Sequence, residues 1–218
     1  MHGFDNEFAH LRKEVSFEKA KNGFMVADPL TLYDCCPTSD GASCIVLAAD
    51  HVVKEFTDDP LWLLSSGAAS DNLALHDRPS ITQLMATQKA SRSAYSMAGI
   101  KASDIDLAEV HDCFTIAELL ATEDLGFAAR GEGGKFARQG LGRRNEGEVC
   151  INPSGGLKSK GHPLGATGTG QAVEVFKQLK GIVEPNRLVR DAEIGMTHNV
   201  GGSGATCAVH IFGRERNA

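Results

Sequence analysis

The chain ends in two apolar runs, Ile194–Val200 and Ala205–Phe212, joined by Gly201-Gly202-Ser203-Gly204. Runs of seven or eight such residues around a glycine turn read as paired strands. Upstream, short apolar runs alternate with segments of helical spacing. Cys44–His51 reads as one buried strand, and Leu61–Leu64 begins another that runs into the small residues Ser65–Ser70. Ile81–Met97 has partial helical spacing, with Ser80 as its expected cap and Gly99 as its stop. Ile105–Val110 is a short strand. Thr115 and Glu118 then suit a capping box for a helix over Ile116–Leu125. Gly131–Gly147 reads as a long surface loop, Glu148–Ile151 as a strand, Asn152–Gly170 as a small-residue loop and Gln171–Lys180 as a helix. Strands alternating with helices, then two closing strands, define an α/β layered domain with a mixed sheet.

Composition narrows the function classes. A net charge of −6 argues against a general affinity for nucleic acid or anionic membrane. No apolar run approaches the ~20 residues of a membrane helix, and no secretory leader is visible, so a cytoplasmic protein is expected. The six cysteines, at 35, 36, 44, 113, 150 and 207, form no C-x-x-C pair. They read as reduced thiols, with Cys44, Cys150 and Cys207 buried. No metal site is expected from the spacing of His111, His162 and His198 and their neighbours.

Three loops carry reactive residues, and each follows an expected strand. His111-Asp112-Cys113-Phe114 precedes a helix, whose positive end favours a thiolate at Cys113. Gly161-His162-Pro163-Leu164-Gly165 fixes a histidine between glycine and proline. His198-Asn199-Val200-Gly201-Gly202-Ser203-Gly204 can present successive N–H groups to an anion, or simply turn a hairpin. Neither a P-loop nor a dinucleotide fingerprint is present.

Together, HDCFTIAELL at 111–120, NPSGGLKSKGHPLGATGTGQ at 152–171 and HNVGGSG at 198–204 resemble the C-terminal half of thiolases, in the sterol-carrier-protein-type branch marked by HDCF. LGFAARGEGGKFARQG at 125–140 is typical of that branch, and SDGASCIVLAAD at 39–50 resembles the last strand of a thiolase N-terminal domain. The resemblance covers at least 180 residues. It implies a thiolase-like layered fold, in which residues 59–218 form the C-terminal domain with a mixed five-stranded sheet and helices on both faces. Residues 1–58 would be a remnant of the N-terminal domain and a linker.

The implied chemistry is Claisen condensation of acyl-CoA, or thiolytic cleavage of 3-oxoacyl-CoA, of the acetyl-CoA acetyltransferase type. Coenzyme A enters as substrate, and no covalently bound cofactor is implied. By resemblance His162 activates an N-terminal nucleophilic cysteine and, with His111, holds a thioester oxyanion. Cys113 is the second acid/base, because Asn199-Val200-Gly201 stands where ordinary thiolases carry a C-x-G cysteine. Asn199, Gly201, Ser154 and Gly155 are the implied oxyanion or substrate-binding residues. The nucleophile motif itself is absent, so a fragment or split enzyme is expected, pairing with itself or with a thiolase N-terminal-half subunit. The alternatives are a thiolase-like aldol lyase subunit or a non-catalytic scaffold, docking a zinc-containing OB-fold partner that binds acyl-CoA.

Overall fold

A computed structural model describes residues 2–216. Its centre is a five-stranded sheet of β3 (Trp62–Ser70), β4 (Leu107–Glu109), β5 (Cys150–Ile151), β6 (Ile194–Gly201) and β7 (Thr206–Gly213), in the order β3-β7-β6-β4-β5. The three strands β3, β7 and β6 pair antiparallel; β6-β4 and β4-β5 are parallel. The sheet is therefore mixed. A two-stranded hairpin, β1 (Met25–Ala27) and β2 (Leu30–Thr31), lies outside it.

Alternation along each strand divides the core in two. Ala108, Ile151, Met196, Val209 and Ile211 face one side, where they meet Ala86, Ala90 and Ala94 of α2 (Met85–Ala98). Leu107, Cys150 and Phe212 face the other, against Ala172, Val175 and Leu179 of α6 (Thr167–Leu179). Helices thus cover both faces, as expected. The alanine stripe lets α2 lie very close to β3: a Cβ on Gly67 would sit 2.1 Å from the Ala90 carbonyl oxygen. α3 (Thr115–Asp124) and α4 (Gly133–Gln139) pack on each other beside this layer.

Several sequence expectations need correction. Cys44–His51 forms no hydrogen-bonded strand; Cys44 is exposed, as are Val46 and Leu47. An apolar run becomes a strand only where a sheet edge receives it, and none does here. α2 begins at Met85, and Ser80 does not cap it. The Leu84 N–H instead donates to the Asp124 carboxylate at the end of α3, which also accepts from the Gln88 amide. The capping box at Thr115 and Glu118 does not form. The Thr115 hydroxyl donates to Asp34, and Glu118 accepts from Asn152. The 131–147 loop contains α4, and the 152–170 loop contains α5 (Gly156–Lys160) and the first turn of α6. Their glycines conceal short helices whose starts are held by residues distant in sequence, as where Glu123 accepts from the Gly133 N–H.

Residues 2–58 carry only short elements, among them α1 (Phe17–Lys21), whose first turn Ser16 caps. Many of their large apolar side chains are exposed, including Phe8, Phe17, Phe24 and Phe56. Among the described residues, no helix is long and apolar enough to cross a membrane.

Candidate active site

The reactive loops emerge where β4, β5 and β6 end side by side, the usual place for chemistry in parallel sheet regions. β4 delivers His111, and the loop after α5 delivers His162. Their rings meet edge to face, with centroids 4.9 Å apart and planes at 87°. Sequence separates them by fifty-one positions; the sheet brings them into contact.

Each ring is held differently. The His162 backbone N–H donates to Ser39 Oγ at 2.7 Å, and its Nδ1 lies 2.7 Å from Thr167 Oγ1. A Cβ at Gly161 would lie 2.6 Å from Ser39 Oγ, and its φ is +106°, so glycine is required there. His111 is 6% exposed, and its Nδ1 has no hydrogen-bond partner among the described residues. Its backbone N–H donates to His198 Nδ1 at 3.4 Å. Burial lowers the pKa of both reactive rings, that of His111 to about 4 with His162 adding to it, while Lys160 further depresses His162. Both imidazoles are therefore neutral at physiological pH.

Behind them lies a buried carboxylate anchor. Glu109, 1% exposed, accepts from the Ser154 N–H at 2.9 Å and from its hydroxyl at 2.7 Å, and lies 4.0 Å from Lys160 Nζ. Asp112, also 1% exposed, accepts from the Leu157 N–H. Burial raises both carboxyls to about 7; neighbouring Glu174 adds to the first and Glu118 to the second. These groups tie the 152–160 loop to the end of β4.

Cys113 is half-buried and follows His111 by two residues. Its carbonyl accepts from the Cys36 N–H, beside an antiparallel bridge between Cys35 and Phe114. The expected acidic thiol is not found. Burial, then Cys36 and Asp112, push its pKa up to about 11, outweighing the N–H of Phe114 near the helix start. Cys207 is buried and also raised to about 11.

The remaining sequence candidates are placed as follows. Ser154 is fully buried and spent on Glu109. Gly155 packs on the backbone of Gly3. The Asn199 amide donates to Gln171 Oε1, which commits one of its N–H groups. Gly201 ends β6 and is exposed opposite Thr206. Sequence reasoning did not reach Ser39, Glu109, Asp112, Thr167 or His198 as site residues. Asp112, Thr167, His198 and Ser39 lie inside the quoted segments but received no role there, and Glu109 lies on the strand leading into HDCF.

Residues 67–214 match the family model described as thiolase C-terminal domain-like. The chain is 51% identical over 210 residues to an acetyl-CoA acetyltransferase of Methanothermobacter thermautotrophicus, covering 96% of this chain and 54% of that protein. It is 37% identical to sterol carrier protein 2 of Bos taurus, covering 94% of this chain and 38% of that one. The chain therefore spans about half the length, or less, of these curated relatives. Among solved structures, the Ltp2-ChsH2(DUF35) aldolase superposes with a TM-score of 0.86 at 22% identity, over all of this chain and 56% of that chain.

Proposed function

Because the chain belongs to the thiolase family through its C-terminal domain, we propose that it forms half of an acyl-CoA acyltransferase site. The observation that carries this reading is the edge-to-face pair of neutral imidazoles, with the buried His111 Nδ1 left without a partner among the described residues. An unsatisfied buried ring nitrogen is costly unless a ligand meets it. Neutral imidazole N–H groups suit a thioester oxyanion, which is stabilised by preorganised donors.

The nucleophilic cysteine belongs to the N-terminal half of the site. His162 takes its proton, and the thiolate attacks an acyl-CoA to give an acyl-enzyme and free CoA. A second acyl-CoA then loses an α-proton to the Cys113 thiolate, and its enolate oxygen is held by His111 and His162. The enolate carbon attacks the acyl-enzyme carbonyl, and the nucleophile's sulfur leaves, giving 3-oxoacyl-CoA. Thiolysis is the same path reversed. With its pKa raised, Cys113 rests as a thiol, the form that protonates the leaving enolate in thiolysis; in condensation that proton first passes to the departing CoA thiolate, which leaves Cys113 as the base.

Residues 44–49 support the need for the other half. They are apolar, exposed and unpaired, and directly follow the segment that holds His162. On its own the chain should show no turnover. Mixed with a thiolase N-terminal half that carries the cysteine, it should cleave acetoacetyl-CoA. Cys113→Ala should then cost roughly 10²–10⁴ in turnover, and Cys207→Ala little. Equal activity of the two variants would overturn the role given to Cys113. A second reading, a lyase that cleaves β-hydroxyacyl-CoA without a cysteine nucleophile, takes support from the aldolase's fold. Aldehyde release by this chain with an OB-fold partner, but no N-terminal half, would favour it.

A further inference from the structure

The site described above leaves one buried imidazole without a role. His198 is 0% exposed on β6, next to β4 in the sheet. The β4 ladder ends at Glu109, paired with Thr197. The next two backbone N–H groups are taken by side chains from the flanking strand ends. Val110 N–H donates to Asn152 Oδ1 at 2.8 Å, and His111 N–H donates to His198 Nδ1 at 3.4 Å. Such groups need partners when buried, so the stretch carrying His111 is clamped from both sides.

The clamp fixes a tautomer. Nδ1 must keep its lone pair to accept from His111, so the proton of the neutral ring sits on Nε2. That atom lies 3.0 Å from Thr87 Oγ1 on α2, to which it donates. The His198 carbonyl accepts from Gln171 on α6, which in turn accepts from Asn199. Helices on both faces of the sheet thereby hold the residue that holds His111.

We propose that His198 is a positioning residue: its imidazole, bare at Nδ1 and protonated at Nε2, fixes the His111 backbone so that the His111 ring meets His162. The proposal rests on the reading of His111 and His162 as the reacting pair. Burial keeps the ring neutral, its pKa lowered to about 3, in keeping with the tautomer the geometry requires.

The test uses the full chain. Long-range nitrogen–proton NMR correlations should show His198 as the Nε2–H tautomer at pH 7, and a nuclear Overhauser contact should join the His111 and His162 rings. In His198→Asn, a side-chain oxygen takes the place of Nδ1. The ring contact should survive, and exchange of the His111 amide should change less than about threefold. In His198→Leu the contact should be lost and that exchange should rise roughly tenfold, with the far-ultraviolet spectrum unchanged. In the enzyme completed with an N-terminal half, the leucine variant should lose kcat with little change in KM, and asparagine should restore it. A His198 found as the Nδ1–H tautomer or charged, or a folded leucine variant with His111 undisturbed, would overturn the proposal. Should His198→Leu not fold, the tautomer in the unsubstituted chain and the behaviour of His198→Asn decide. The NMR readouts involve no thioester chemistry, so a complex that proves inactive would count against the acyltransferase reading and not against this one.

Discussion

Residues 59–216 and residues 2–58 of the same chain solve the burial problem in opposite ways. The first region closes on itself: α2 and α6 cover a sheet whose facing side chains, Met196, Val209 and Ile211 among them, are wholly buried. The second buries almost none of its large apolar side chains, and its Val46 and Phe17 are 88% and 76% exposed. Composition does not separate them, since both contain strand-forming runs. What separates them is whether a sheet edge is within reach of each run. The first region has the character of an independent fold, and the second that of a surface awaiting cover.

The largest effect that sharpens this contrast should come from cavities. Met196→Ala should cost about 2–5 kcal/mol in denaturant unfolding, the usual loss for emptying a core site. Val46→Ser should fall within about 0.5 kcal/mol. Comparable costs would mean that residues 2–58 carry a core of their own. A second test concerns acid. The native pKa of Glu109 and Asp112 is raised, so between pH 7 and about 4 the folded chain binds protons that the unfolded chain does not, and stability is gained as pH falls. His111 and His198 have lowered native pKa values, so below pH 6.5 the unfolded chain binds protons that the folded chain does not, and stability is lost. The two trends offset each other down to about pH 4, below which only loss remains. Glu109→Gln removes part of the offset, so its unfolding midpoint should start to fall near pH 6.5, while an exposed control such as Glu14→Gln should follow the parent. The smallest effect joins the two regions. Ser39→Ala removes the acceptor of the His162 N–H, should cost about 1 kcal/mol or less, and should speed exchange of that one amide without altering those of β6.

Legibility in the sequence followed the range of the interactions. The closing hairpin was plain because alternation and a glycine turn are local, and β6 and β7 match the expected runs to within a residue or so at each end. Gly99 stops α2 as expected, in the left-handed conformation. The start of α2 departs from the expected one because the Leu84 N–H before it finds its acceptor, Asp124, on another helix. The motifs named His111 and His162, but no spacing rule shows that their rings touch. Nor could the charge count reveal that Glu109 and Asp112 are buried, because a carboxylate within two residues of a histidine is ordinarily solvated. The raised pKa of Cys113 escaped for the same reason: the helix start was visible, while burial beside Cys36 was not.

The segment holding His162 has a consequence for the order of assembly. Ser39 meets residue 162 and Ser43 meets residue 166, each across 123 positions, so the two stretches run alongside one another in the same direction. Contacts of such separation close large loops and gain little until the elements between them are in place. A refolding chain should therefore recover its helical signal and sheet protection before the His162 loop takes its final shape. Competence of the histidine pair then lags behind acquisition of the fold, and during synthesis it must wait for the strands over 194–213, which emerge well after Ser39.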